Sequence, residues 1–66
     1  MTDVVTVGAQ IRATRKEHHL TQAELAALAG ISERTIRGLE RGEGNPSFDA
    51  VAATAAVLGL KIALTP

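Results

Sequence analysis

The 66-residue chain contains no cysteine, tryptophan or tyrosine, and Phe48 is its single aromatic residue. The absence of cysteine excludes disulfide bonds and thiolate metal sites. The two histidines, His18 and His19, are adjacent and would lie on different helix faces, so they form a poor pair of metal ligands. We expect no metal and no cofactor. Domains of this size commonly need a disulfide, a metal or a second chain for stability, and the second chain is the remaining source.

Long apolar runs and an excess of either charge are also missing. No run approaches the ~18 residues of a membrane span, and no signal-peptide pattern opens the chain, so we expect a cytoplasmic location and no membrane partner. Seven basic and seven acidic residues cancel, which argues mildly against a nucleic-acid partner. Three arginines nevertheless recur at helical spacing, namely Arg34, Arg37 and Arg41. This stripe is either an ordinary solvated face or a surface for nucleic acid.

Residue combinations that would support catalysis are absent from the sequence. We find no nucleophile–base pair, no paired carboxylate cleft and no glycine loop of the kind that binds phosphate after a strand. So short a chain is also not expected to enclose a ligand pocket of ~300 Å³ or more beside its core. An enzyme and an effector-sensing protein are therefore both disfavoured.

Capping residues and glycines predict four helices. A polar residue precedes each helix, where its side chain can accept a hydrogen bond from the first turn, and Thr21 with Glu24 forms a capping box. Glycine ends helices because it adopts a positive φ without steric cost. The caps are Asp3, Thr21, Ser32 and Ser47, the glycines are Gly30, Gly42, Gly44 and Gly59, and the predicted helices cover residues 4–18, 22–28, 33–41 and 48–58.

Apolar residues three or four apart predict the faces that form the core. The fourth helix has a second apolar face at Ala50, Ala53 and Val57, which predicts contact with another copy of the chain. More core, or a groove for a different protein, are the alternatives. Arg12 and Lys16 should face solvent. The predicted core residues are Val4, Val7, Ile11, Leu25, Ala26, Leu28, Ile36, Leu39, Val51, Ala52, Ala55 and Leu58.

Residues 60–65, LKIALT, alternate between apolar and polar side chains, which is the period-two pattern of a strand. A lone strand leaves its hydrogen-bonding groups unpaired. We therefore expect antiparallel pairing with the same strand of a second chain across a two-fold axis, with folding back near residues 4–7 as the alternative. The predicted dimer contacts are Val57, Leu60, Ile62 and Leu64.

The second and third predicted helices have the spacing of a helix-turn-helix, with Gly30 in the turn. Such a pair holds the third helix at a fixed outward angle, as entry into a DNA major groove requires. The motifs are Leu20-Thr21-Gln22-x-Glu24-Leu25-Ala26, Gly30-Ile31-Ser32-x-x-Thr35-Ile36, Leu39-Glu40-Arg41-Gly42 and Asn45-Pro46-Ser47. On these motifs, residues 7–59 resemble the phage-repressor (Xre, Cro/C1-like) type of helix-turn-helix protein.

The resemblance implies an all-α, lambda-repressor-like fold of four to five helices. It implies a DNA-binding domain over residues 1–59 and a short dimerisation strand over residues 60–66, paired across a homodimer. Arg15 and Glu40 match a buried ion pair that joins the first helix to the third in phage repressors. The residues implied at the DNA surface are Gln22, Ser32, Glu33, Arg34, Thr35, Arg37, Gly38, Arg41 and Asn45.

Different roles are implied for these residues. Gln22 corresponds to a glutamine that contacts phosphate, whereas Glu33 and Arg34 correspond to residues that read bases. Arg37 and Arg41 lie further along and suit phosphates. Gly38 departs from the pattern, because relatives often place a long side chain there. Either the backbone approaches DNA closely at this position, or base reading is confined to Glu33, Arg34 and Arg37.

The function implied by the resemblance is a dimeric, nucleoid-associated repressor of a palindromic operator on double-stranded DNA. The ending Leu58-Gly59-Leu60-Lys61-Ile62-Ala63-Leu64 further resembles HipB-like antitoxins. In that group a repressor dimer also binds a kinase-like (HipA-type) toxin and represses its own operon. The alternative is a stand-alone Xre-type regulator with no toxin partner.

Overall fold

Four helices follow one another in the computed structural model, which describes residues 4–61 and the side chains from residue 6 onward. They are α1 (Val4–Glu17), α2 (Gln22–Ala29), α3 (Glu33–Arg41) and α4 (Phe48–Leu58). The predicted all-α class is confirmed. The cap at Asp3 and most of the predicted strand, with Ile62 and Leu64, lie outside the described residues. Between residues 4 and 61 no helix is long and apolar enough to cross a membrane.

The starts of α2, α3 and α4 are fixed by the predicted caps. Thr21 Oγ1 accepts a hydrogen bond from the Glu24 N–H at 3.0 Å, and the Glu24 carboxylate accepts from the Thr21 N–H at 2.8 Å. Hydrogen bonding of the Glu24 carboxylate to the Thr21 backbone N–H, and secondly to the Thr21 side chain, holds the pKa of that carboxyl below its ordinary value. Ser32 and Ser47 cap α3 and α4 in the same way, through the N–H groups three residues later. Each short helix therefore begins at a defined residue.

The core lies where all four helices meet. Leu25, Ile36 and Ile11 are almost completely buried, with at most 1% of their surface exposed. They pack in one cluster with Ala26, Leu39 and Leu58. The α2 and α3 helices each supply two of these residues, and α1 and α4 each supply one, so all four helices contribute to a single core.

One predicted core residue of α2 is wrong. Leu28 is 63% exposed, whereas Leu25 and Ala26 are buried. A helix rotates about 100° per residue. Leu28 therefore lies about 110° from the middle of the Leu25–Ala26 face, on the side turned away from α3 and α4. The core-facing side of α2 is therefore narrower than we predicted: it includes Leu25 and Ala26 but not Leu28.

The buried face of α4 also differs from the prediction. Ala55 and Leu58 are buried as expected, and Val51 is half-buried and packs against the core. Ala52 is only half-buried, whereas Ala50 and Thr54 are buried although we did not predict them in the core. Thr54 was not predicted because it is polar. Its hydroxyl donates to the Ala50 carbonyl oxygen at 2.8 Å, so the buried oxygen has a partner. The face that we assigned to dimer contact is therefore partly used within the chain.

Gly8 has a role that we did not predict from the sequence. A Cβ atom at this position would lie 2.0 Å from the carbonyl oxygen of Leu39. No side chain fits in that space, so glycine lets α1 approach the backbone of α3 directly. The contact adds a second constraint on α3 beside its buried apolar residues.

Gly8→Ala is expected to lower the free energy of unfolding by roughly 1–3 kcal/mol, because the added methyl group pushes α1 from α3. Gly38→Ala is the matched control, since its Cβ would lie 3.8 Å from the nearest atom, the Glu43 carbonyl oxygen. It should gain up to ~1 kcal/mol from better helix propensity. Urea unfolding followed by circular dichroism measures both. An unchanged midpoint for Gly8→Ala would contradict the close contact.

Candidate nucleic-acid interface

The α2–turn–α3 unit presents one polar face to solvent. Gly30 takes the left-handed conformation with φ 72°, and the Ile31 N–H bonds back to the Ala26 carbonyl at 3.0 Å. Ile36 and Leu39 bury one side of α3 in the core, so the opposite side of this helix is exposed. Arg34, Arg37 and Arg41 all lie on that exposed side. The structure therefore brings the arginine stripe to one face of α3.

Two residues predicted to contact DNA are paired with each other on this face. The Arg37 guanidinium donates to the Glu33 carboxylate one helical turn away, and both side chains remain about 40–45% exposed. An exposed pair of this spacing stabilises a helix by only ~0.3–0.5 kcal/mol. Either side chain can therefore exchange its partner for a ligand at little cost.

The other predicted contact residues of this region are exposed or structural. The Ser32 hydroxyl accepts from the Thr35 N–H at 3.1 Å and bonds the Thr35 hydroxyl at 2.8 Å, so both residues help to start α3. Asn45 is exposed in the loop between α3 and α4. A Cβ atom at Gly38 would make only an ordinary van der Waals contact with the Glu43 carbonyl oxygen, so packing within the chain does not require glycine there.

A buried ion pair joins α1 to the end of α3, as the resemblance implied. Arg15 Nε lies 2.6 Å from Glu40 Oε2, and Arg15 Nη2 donates to Glu40 Oε1 at 3.0 Å. The two side chains are 11% and 3% exposed. The hydrogen bond to Glu40 raises the pKa of the Arg15 guanidinium, although burial opposes this. Among the described residues, no buried side-chain nitrogen or oxygen lacks a hydrogen-bond partner, and this includes the atoms of this pair.

The same ion pair also reaches α2. Gln22 Nε2 donates to Glu40 Oε1 at 3.2 Å, and Arg15 Nη1 donates to the Leu20 carbonyl at 2.7 Å. Gln22 is the first residue of α2, and Arg15 lies in the last turn of α1. One carboxylate therefore holds the start of α2, the last turn of α1 and the end of α3 together. Gln22 is therefore fixed in place rather than free in solvent.

An open groove lies above this network, with a volume of about 350 Å³. It is larger than we expected for so short a chain, but its lining is charged, whereas pockets for small molecules are mostly apolar. We call it the basic groove. Its lining residues are Arg12, Arg15, Gln22, Arg37, Glu40 and Arg41.

Arg12 is exposed, as we predicted, but it also lines the basic groove, which we did not predict. It lies three residues before Arg15 on α1, and this helical spacing puts the two side chains on the same side. The spacing was readable from the sequence once Arg15 had been matched to Glu40.

In the described part of the chain, no group of three or more His, Asp or Glu side chains could hold a metal ion.

Of the four predicted dimer contacts, the structure describes only Val57 and Leu60. Val57 and Leu60 are half-buried and pack against the core of their own chain. Ile62 and Leu64 lie outside the described residues. The structure therefore leaves the proposed strand pairing untested.

Sequence comparison finds a family model described as helix-turn-helix that matches residues 11–64. The chain is also 41% identical over 58 residues to the immunity repressor protein of Bacillus phage phi105. That match covers 88% of this chain and 40% of the phage protein, so this chain spans less than half of that relative's length.

Solved structures with a similar fold include two regulators. The restriction-modification controller protein C.AhdI from Aeromonas hydrophila superposes with a TM-score of 0.80 at 31% identity, covering 88% of each chain. SinR, the master regulator for biofilm formation, was solved in complex with DNA. It superposes with a TM-score of 0.75 at 32% identity, covering 83% of this chain and 89% of SinR.

Glu40→Ala is expected to lower the free energy of unfolding by ~3–5 kcal/mol, because it leaves a buried guanidinium unpaired. Glu33→Ala is the matched control on the same helix: it breaks an exposed pair and should cost ~0.5 kcal/mol or less. Glu40→Gln keeps an acceptor for Arg15 and should fall between them, which gives a measurable variant if Glu40→Ala does not fold. Chemical denaturation tests this, and equal losses for Glu33→Ala and Glu40→Ala would refute it.

Proposed function

The chain belongs to the phage-repressor (Xre) type of the helix-turn-helix family, and we propose that it is a sequence-specific transcriptional repressor. The observation that carries the proposal is the exposed face of α3, where Arg34, Arg37 and Arg41 lie together on a helix packed against α1 and α2. Its relatives include an immunity repressor and a regulator solved in complex with DNA. Both descriptions support a DNA-binding role for this chain.

In this proposal α3 enters the major groove, with its first turn nearest the bases. Arg34 can donate two hydrogen bonds to guanine, and Glu33 can accept one from the amino group of cytosine. Arg37 and Arg41 would contact phosphates, as would Gln22 at the start of α2. Ser32, Thr35, Gly38 and Asn45 would border these contacts.

A dimer would bind a palindrome whose half-sites lie one helical turn apart, ~34 Å. We propose that residues 1–59 form the DNA-binding unit and that residues 60–66 pair with the same segment of a second chain. The alternating pattern of that segment supports the pairing. Leu60 and Val57, half-buried on the core, would connect the segment to each protomer.

A second candidate function is that of an antitoxin that also binds a kinase-like toxin and represses its own operon. Its support is the resemblance of residues 58–64 to HipB-like antitoxins. The proposal requires a kinase-like gene beside this one. Recovery of no such protein with the tagged chain from its native host would leave the stand-alone regulator.

Binding sites selected from random duplex DNA test the reading face. Arg34→Ala should cost ~1–3 kcal/mol at the selected site and relax the preference at one base pair, because a base contact is lost. Arg41→Ala should weaken all sequences alike and reduce the salt slope by ~1, because a phosphate contact is lost. Fluorescence anisotropy over a salt series measures both. If both variants bind like the unaltered chain, this face of α3 does not contact DNA.

Removal of residues 60–66 should convert a dimer to a monomer and weaken operator binding sharply. Analytical ultracentrifugation gives the mass, and circular dichroism shows whether the helices persist. Removal of residues 62–66 alone is the control for folding, because it keeps Leu60 on the core. A truncated chain that stayed dimeric would move the interface to α4.

A further inference from the structure

Arg12 lies on α1, outside the helix-turn-helix, and yet it lines the basic groove together with Gln22 and Arg41. We propose that these three side chains bind one phosphate of the DNA backbone, so that α1 takes part in DNA binding. The inference rests on the proposed function. It assigns a DNA contact to Arg12, which lies outside the helix-turn-helix motif.

The distribution of charge supports a phosphate site here. The chain has seven basic and seven acidic residues, but the basic groove is lined by four arginines and one glutamate. Glu40 and Arg15 neutralise each other through two hydrogen bonds, and Arg37 is paired with Glu33. In the groove as the structure describes it, the charges left without a close partner are those of Arg12 and Arg41. A concave surface with a surplus of one charge concentrates ions of the opposite charge.

The two outer arginines have room for a new partner. Arg12 is exposed and forms no ion pair with any residue between 4 and 61. Arg41 lies 3.9 Å from the Glu43 carboxylate, and both of these side chains are about two-thirds exposed. Such a long, solvated contact contributes little. A phosphate can therefore take both guanidinium groups without breaking a strong interaction.

Gln22 supplies the third contact in a fixed position. Its Nε2 donates to Glu40, and the second N–H of that amide remains for an acceptor in the groove. Gln22 is also the first residue of α2, so the partial positive charge of the helix start points to the same place. Glu40 is thus a positioning residue for Gln22 as well as the partner of Arg15.

The three contacts come from three different helices, so together they would set the position of the helices relative to the DNA backbone. A phosphate bound between α1, the start of α2 and the end of α3 would fix how far α3 enters the major groove of the DNA. The contact reads no base, so its loss should affect all duplexes equally. Arg12→Ala should therefore resemble a phosphate variant and not a base-reading variant.

Arg12→Ala and Lys16→Ala form a matched pair, because both remove one positive charge from an exposed residue of α1. Lys16 does not line the basic groove. With a mixed-sequence duplex of about 20 base pairs as the probe, Arg12→Ala should bind about tenfold more weakly per bound protomer, the effect of one charge-assisted hydrogen bond. Its salt slope should fall by ~0.9 per protomer. Lys16→Ala should change affinity by less than about twofold.

The outcomes separate this inference from the proposed function. If the unaltered chain binds duplex DNA and Arg34→Ala relaxes specificity, but Arg12→Ala behaves like Lys16→Ala, the phosphate site is wrong and the repressor stands. If the unaltered chain binds no duplex, including those selected from random DNA, both are wrong. Equal thermal midpoints for the two variants ensure that affinity and not folding is compared. Arg12→Lys should restore most of the binding, because it restores the charge in the groove.

Discussion

The position of α3 depends on the ion pair between Arg15 and Glu40. Removing two charges from water costs nearly as much as their attraction returns, so a buried pair of this kind contributes little net stability. Its effect is on geometry. The planar guanidinium accepts only a narrow range of carboxylate positions, and the same carboxylate holds Gln22. An apolar replacement of similar volume could keep the chain folded while losing the relation between the start of α2 and the end of α3.

Two further contacts act along the same side of α1. Gly8, Ile11 and Arg15 are spaced as i, i+3 and i+7, which places them on one helix face. Gly8 lies against the backbone of α3, Ile11 enters the core, and Arg15 binds Glu40. One helix face therefore combines a close backbone approach, apolar packing and an ion pair. Together they leave α3, a nine-residue helix too short to be stable alone, little freedom to rotate.

The sequence was informative where the determining interactions are local. The bounds of α3 and α4 agree with the predicted ones, because Ser32 and Ser47 act within one turn and glycines end both helices. The errors concern contacts between helices. Leu28 and Thr54 could not be placed correctly by spacing, because the width of a buried face depends on the partner helix. The contact of Gly8 with α3 was not predicted for the same reason. Of the candidate site, the sequence predicted the arginine stripe on α3 but not the basic groove that Arg12 also lines.

The neutral net charge of this chain argued against a nucleic-acid partner, but the arrangement of the charges is compatible with one. Glu33 and Glu43 lie beside Arg37 and Arg41 in weak, exposed pairs, so the arginines face solvent without a large surplus of charge. On the proposed DNA surface, an arginine that moves to a phosphate leaves its glutamate near other phosphates, and this repulsion opposes binding to arbitrary sequences. For Glu33 the repulsion is offset where a cytosine amino group is within reach. Acidic residues on the reading face would thus lower affinity for all DNA and raise the difference between the right site and the wrong ones, which is what specificity requires.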